Sequence, residues 1–255
     1  MATVRTAEIS ADILQITSTI IIPKWPPASD FPDNILKYMK KNATEKQALK
    51  LMKANKYFIR EKCPFIYFGD NVTLSKNFVH QIFFSSNRMD YRFDKLPNNL
   101  GIYGTLDIRH ENSLSQFISK CVACDLKCLY LPNNWWKIGK ISYDDFKVLT
   151  SSGRLERLSL GETIVTSDNG EIIPYEFHLE HTPSLRILCL KYNNCLQLSQ
   201  KFTEKICASK FEIFQVFELP KKFKREALLA KMAKKKPNLL VELFSNNMFL
   251  AVKDQ

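Results

Sequence analysis

Three short stretches of the chain place leucine at the same spacing: LKCLYL at 126–131, LERLSL at 155–160 and LRILCL at 185–190. In each, leucines stand at i, i+3 and i+5. An amphipathic helix repeats its apolar positions at i, i+3, i+4 and i+7. The last two leucines of each triplet instead alternate, as in a strand with one buried face. The triplets begin 29 (155 − 126) and 30 (185 − 155) residues apart. Weaker copies flank them: Tyr103, Leu106 and Ile108 upstream, then Phe211, Phe214 and Val216, and a faint last copy in Leu240 and Leu243. Asn134 and Asn193 each follow the last leucine of a triplet by three residues.

Helical spacing fills the intervals. Leu114, Phe117, Ile118 and Val122 share one face in 113–124, with Asn112 or Ser113 as N-cap. SYDDFKVLTSSG (142–153) opens with Ser142, has Asp145 three residues later, buries Phe146 and Leu149, and stops at Gly153. Leu198, Phe202, Ile206 and Cys207 pattern a further helix. Asn169-Gly170, between Ile164/Val165 and Ile172/Ile173, reads as a small hairpin.

The triplets with their asparagines resemble the leucine-rich repeat, L-x-x-L-x-L-x-x-N, whose period is about 20–29 residues. That resemblance implies short parallel strands alternating with helices, each unit burying its apolar side only against its neighbours. The fold class expected is therefore α/β, a short N-terminal helical module followed by a leucine-rich-repeat-like solenoid. The x positions then point away from the leucines. They include Asp107 and Arg109, Lys127 and Tyr130, Glu156 and Arg157, Arg186 and Ile187, and Glu212 and Gln215. Charges of both signs mixed with Tyr and Ile suit a protein-binding surface better than a phosphate-tracking groove. Trp135 and Trp136, where the chain leaves the second strand, serve either as packing at the rim or as anchors for a target.

The front of the chain differs. In 31–64, Pro32 suits a first helical turn, Ile35, Leu36 and Met39 share a face, and Asn42 with Glu45 spells a capping box for a second helix. Tyr57 and Phe58 open a third. About 35 residues of short helix bury too little apolar surface to stand alone. The segment resembles an F-box, with Phe31 where that motif usually has Leu. From about residue 30 to 250 the chain is similar to a nematode-expanded family of F-box-like proteins, on KYMKKN, KYF, YDDFKVLTSSG and DNGEIIP. The resemblance implies three parts: a flexible tail at 1–28, F-box-like helices at 29–64 and a leucine-rich-repeat-like domain at 65–255. It also implies docking on a Skp-family adaptor of a cullin–RING ubiquitin ligase through Phe31, Pro32, Ile35, Leu36, Met39, Leu49, Met52 and Tyr57. The repeat face would then capture an unknown target protein, one use being an antidote that clears a toxic or foreign protein. The alternative is a helical cap on a basic repeat protein that binds RNA or an acidic partner, with no ligase role.

Composition sharpens this only in part. Hydrophobic residues are 45% of the 255, enough for a sizeable core. No stretch reaches 18 apolar residues, so no membrane span is expected. The N-terminus lacks a signal-peptide pattern, and the seven cysteines are odd in number, which points to free thiols in the cytoplasm, the nucleus or both. The net charge is +11, and 221–236 holds eight Lys/Arg against one Glu; a solvated helix face explains that run. No GxGxxG, GxxxxGK or GxSxG occurs, and neither catalysis nor a cofactor is expected. Cys121 and Cys124, placed by this register at a helix end, and Cys128 on the sheet lack a fourth ligand at zinc spacing, so no metal is expected and the thiols read as small core residues. His178 and His181, in HLEH, read as surface or capping residues. Nucleic acid is a less favoured partner, and no obligate homo-oligomer is expected.

Overall fold

The computed structural model describes residues 32–42, 44, 47, 65–68, 71–76, 78–82, 88–110, 114–131, 139–192 and 198–245. The expected tail at 1–28 lies outside these, as do Phe31, Leu49, Met52, Tyr57, Trp135 and Trp136. The fold is α/β, with a large, mostly parallel sheet and helices.

Helix α1 (Asp33–Asn42) precedes a run of strands β1 (Ile66–Phe68), β2 (Asn71–Leu74), β3 (Phe78–Ile82), β4 (Arg88–Arg92) and β5 (Leu100–Ile108). Helices then alternate with strands: α2 (Leu114–Ile118), β6 (Cys121–Tyr130), β7 (Lys140–Ser142), α3 (Tyr143–Thr150), β8 (Arg157–Gly161) and β9 (Ile164–Thr166). The chain ends with α4 (Tyr175–His178), β10 (Ile187–Lys191), α5 (Gln200–Ala208), β11 (Ile213–Leu219), α6 (Arg225–Lys235) and β12 (Leu240–Ser245). Among the described residues ten strands form one sheet in the order β12-β11-β10-β8-β6-β5-β2-β3-β4, with β1 also on β5. From β2 and β5 to β12 every neighbouring pair is parallel. β1 and β2 lie end to end along one side of β5, pairing with its first three and last four residues. β3 and β4 close that end as antiparallel ribbons. β7 and β9 form a separate parallel pair.

The leucine triplets explain the register. Val72, Leu106, Leu129, Leu158, Leu188, Phe214 and Val241 are direct partners across seven consecutive strands. All but Val241 are buried, and they share one cluster with Phe117 of α2, Phe146 and Leu149 of α3, Phe202 and Ile206 of α5 and Met232 of α6. The helices therefore pack on the leucine side of the sheet. Parallel strands need crossovers of this kind, because a tight hairpin cannot join them. Local signals set the helix ends. Ser142 accepts a hydrogen bond from the Asp145 N–H (3.0 Å) at the start of α3, and Ser199 accepts one from the Phe202 N–H (2.9 Å) at the start of α5. Gly153, just beyond α3, takes the left-handed conformation at φ 65°, which glycine adopts without a Cβ clash. The Asn169-Gly170 turn forms, bonded by Ser167 N–H to Glu171 O (2.8 Å) and Ile173 N–H to Val165 O (2.8 Å).

Four expectations are corrected. Val122 and Cys121–Cys124 belong to β6, not to a helix end: α2 stops at Ile118, and β5 recruits the segment through Leu100 N–H to Lys120 O (2.8 Å). The last repeat copy sits two residues off, Leu243 taking the Val216 position instead of the Phe214 position. Leu240 pairs with Ile213 and is exposed, Val241 takes the Phe214 position, and Leu239 is buried in place of Leu240. Asn42 closes α1, its amide donating to Tyr38 O (2.9 Å). The capping box is Thr44 with Gln47: the Thr44 N–H reaches Gln47 Oε1 (2.8 Å) and the Gln47 N–H reaches Thr44 Oγ1 (3.3 Å). Finally, His178 is buried in the core rather than on the surface. Its ring lies 5.1 Å from Phe146 and 5.7 Å from Tyr175.

Burial, with the nearby charge of His181 second, pushes the His178 pKa down to about 4. The folded chain therefore keeps a neutral imidazole where the unfolded chain takes up a proton, so stability falls as pH drops from about 6.5 towards 4. The full loss is about 3 kcal/mol. Urea unfolding across that window checks this, and His178→Gln should flatten the slope. A second outcome follows from Gly101 on β5, where a Cβ would stand 2.2 Å from Phe65 Cδ2. Gly101→Ala should destabilise by about 1–3 kcal/mol, and Phe65→Leu should recover part of that loss in the same denaturation assay.

Candidate protein-binding face

The side of the sheet opposite the leucines carries the alternate residues of each strand, and the register sorts them into rows. One row runs Asn71, Thr105, Cys128, Arg157, Ile187, Ile213, Leu240. The next runs Thr73, Asp107, Tyr130, Ser159, Cys189, Gln215, Glu242. Most of these side chains are half-buried, while Asn71 and Leu240 are exposed. Just before the strands lie Glu156, Arg186 and Glu212, level with Lys127 of β6.

Electrostatics on this face are mostly local pairs. Arg186 grips Glu212 with two bonds of 2.8 Å, and Lys127 stands 4.0 Å from Glu156. Lys127, Glu156, Arg186 and Glu212 thus alternate in sign from strand to strand. Arg109 bonds Asp107 at 3.0 Å. Cys189 donates to Gln215 Oε1 (2.9 Å), and the Gln215 amide donates to Glu242. Burial raises the Cys189 pKa, so its thiol stays protonated and able to donate. Arg157 donates to the Tyr130 hydroxyl at 3.4 Å, and that bond raises the guanidinium pKa. Among the described residues Arg157 has no carboxylate partner within 4.0 Å, and its Nε is buried without an acceptor.

The two halves of the face differ. Around β2, β5, β6 and β8 an open pocket of about 670 Å³ is lined by Asn71, Thr73, Thr105, Asp107, Arg109, Tyr130 and Ser159, together with Val72, Ile108 and Leu131. Towards β12 the lining becomes apolar: Ile187, Ile213 and Leu240 are direct neighbours, and the Phe217 and Phe244 rings stack at 4.8 Å. Beyond the row of Gln215, Lys191 is held between Glu162 and Glu218, the latter at 2.8 Å. Burial works against its charge, but the two carboxylates outweigh that and hold its pKa above the ordinary value. Glu218 adopts φ 58° where the β11–β12 register shifts, as Gly161 does (φ 53°) where the β8–β10 register shifts. Left-handed backbone at a non-glycine residue is costly, and the bond to Lys191 helps hold it.

Of the residues expected to meet a target, Asp107, Arg109, Lys127, Tyr130, Glu156, Arg157, Arg186, Ile187, Glu212 and Gln215 are brought together on or beside this one face. Trp135 and Trp136 lie outside the described residues. Asn71, Thr73 and Thr105 were missed; the alternation Val72, Leu74 in NVTL carried the signal that β2 joins the sheet. Of the expected adaptor-facing residues, Pro32 is exposed and Ile35, Leu36 and Met39 lie on α1, where Ile35 and its neighbour Tyr38 are exposed. The five described cysteines are free, and only Cys124 among them is fully buried. Among the described residues no cluster of His, Cys, Asp or Glu could hold a metal ion, and no helix is long and apolar enough to cross a membrane.

Lys191→Met leaves two carboxylates facing each other at a largely buried position. It should destabilise by about 3 kcal/mol, at the low end for a broken buried pair because both glutamates reach solvent. Adding Glu162→Gln and Glu218→Gln to Lys191→Met should restore most of that stability in thermal melts.

No known family model matches this chain, and no curated protein matches it.

Proposed function

We propose that the chain is the substrate-recognition subunit of a Skp–cullin–F-box-type ubiquitin ligase. In this reading its N-terminal helices bind a Skp-family adaptor, its strands and helices form a leucine-rich-repeat-like solenoid, and the open sheet face holds the target. The observation that carries it is the exposure of Ile35 and Tyr38 on α1, ahead of a sheet whose core helices, among the described residues, all pack on the leucine side. A short amphipathic helix with exposed apolar residues gains stability by burying them against a partner, at roughly 25 cal/mol per Å². Helix-in-groove docking supplies such burial, with a few central side chains dominating the affinity. The chain would supply no chemistry of its own; ubiquitin transfer would occur on other subunits. A target that is toxic or foreign is one use of such a receptor.

A second reading has one observation in its favour. Among the described residues Lys221, Lys222, Lys224, Arg225 and Lys234 form no salt bridge, whereas Lys235 faces Glu204 at 3.7 Å and Lys236 donates to Ser209 O. Such a basic surface can bind RNA or an acidic protein electrostatically.

Pull-down of the full chain with a Skp-family adaptor separates the two. Ile35→Asp with Leu36→Asp should cut adaptor binding at least ten-fold while leaving the melting temperature in place; unchanged binding overturns the ligase reading. Under the second reading, the adaptor is not retained. Single-stranded RNA binding then collapses between low and moderate salt and falls uniformly across sequences when Lys221, Lys222 and Lys234 become Ala.

A further inference from the structure

The open face carries more than a location for a target; its rows specify a shape. We infer that the segment of the target it accepts is an amphipathic helix lying across the strands, with an acidic side chain on Arg157 and apolar side chains on Ile187, Ile213 and Leu240. This rests on the reading of the open face as the target-binding surface.

The spacing argument is geometric. Arg157, Ile187, Ile213 and Leu240 are direct partners on four consecutive strands. Neighbouring strands lie about 4.8 Å apart, so the four positions fall near 0, 4.8, 9.6 and 14.4 Å. A helix rises about 1.5 Å per residue, so residues i, i+3, i+7 and i+10 fall near 0, 4.5, 10.5 and 15 Å on one side. The helix stays in step with the row over its whole length. An extended peptide crossing the strands presents same-side residues only every ~6.7 Å, twice the strand rise per residue, and loses step by the third position.

The chemical argument is complementarity. Arg109, Lys127 and Arg186 are matched by Asp107, Glu156 and Glu212, whereas among the described residues Arg157 meets only a neutral hydroxyl. A partly desolvated arginine beside Cys128 and Tyr130 suits a carboxylate, which it can take bidentately. The positions that follow along the row are apolar, and Leu240 is half exposed at the last strand of the sheet. Glu242, one row further on, is met by an amide rather than a cation, so a basic residue near i+10 fits there. Acid at the start and base at the end is also the charge order that a helix favours by itself.

The test uses a displayed library of single-helix peptides randomised at i, i+3, i+7 and i+10 and selected on the full chain. The expected winners carry Asp or Glu at i and Leu, Ile, Met or Phe at the other three. Their binding should drop at least ten-fold on Arg157→Glu, recover when the peptide acid becomes Lys, and drop at least ten-fold on Ile213→Asp. Winners without an acid, or insensitive to Arg157→Glu, overturn the inference. So do winners that keep their affinity with proline placed mid-peptide, which would show that the bound peptide is not helical, and winners that bind only a dimer of the chain. Failure of this inference is distinguishable from failure of the underlying reading. If selection fails but Arg157→Glu and Ile213→Asp still release a target identified in complex with the intact chain, the helix is wrong and the target face stands. If neither substitution changes target retention, the face itself is wrong.

Discussion

Everything in this molecule depends on one line of side chains: Val72, Leu106, Leu129, Leu158, Leu188, Phe214 and Val241, in register across seven parallel strands. None of these short strands could stand alone, since each buries too little apolar surface and leaves its backbone groups unpaired. Side by side they pair each other's backbone and present one continuous apolar surface, which the helices cover through Phe117, Phe146, Phe202 and Met232. A chain that must return to the same end of each strand has room for such a helix, and consecutive strands settle as neighbours.

That line also fixes the opposite surface. Because side chains alternate across a strand, a leucine locked inward puts its neighbours outward, and a one-residue slip would reverse both faces. The outward rows are thus a by-product of the core, free to carry whatever chemistry a partner requires. What they carry is graded: hydroxyls, an amide and a paired Asp–Arg around a pocket at one side, then a lone arginine, then branched aliphatics towards the last strand. The charge ladder of Lys127, Glu156, Arg186 and Glu212 runs along the strand starts, where exposed pairs stabilise little and serve mainly to set which sign meets which.

At the other end of the strands the structure accepts strain. Gly161 and Glu218 adopt left-handed backbone where the ladder slips, and Lys191 ties the two regions together through Glu162 and Glu218. Behind the sheet, a chain of rings from Phe146 through His178, Tyr175 and Phe202 to Phe214 joins three helices to β11. An imidazole among rings can fill that space only while neutral, so the core is sensitive to acid although no carboxylate is involved.

The sequence by itself determined the strands at the strong triplets, the helix α3 with its serine cap, the helix α5, the Asn169-Gly170 turn, and which residues face away from the core. Those follow from local rules: a period of two for a half-buried strand, a hydroxyl that satisfies free N–H groups, a glycine where φ is positive. Tertiary structure alone decided the rest. It turned 121–124 from helix to strand because β5 offered unpaired partners. It moved the last repeat by two residues, since Val241 and Leu243 both suit the core side and only pairing with β11 decides which of them meets Phe214. It buried His178, whose polarity suggested the surface, because one of the rings packed on it, Phe146, comes from a separate helix 32 residues earlier in the chain (178 − 146). And among the described residues it left Arg157 without a carboxylate, Glu156 facing Lys127, Glu212 facing Arg186 and Glu242 meeting an amide, a fact about neighbours that no spacing along the chain contains.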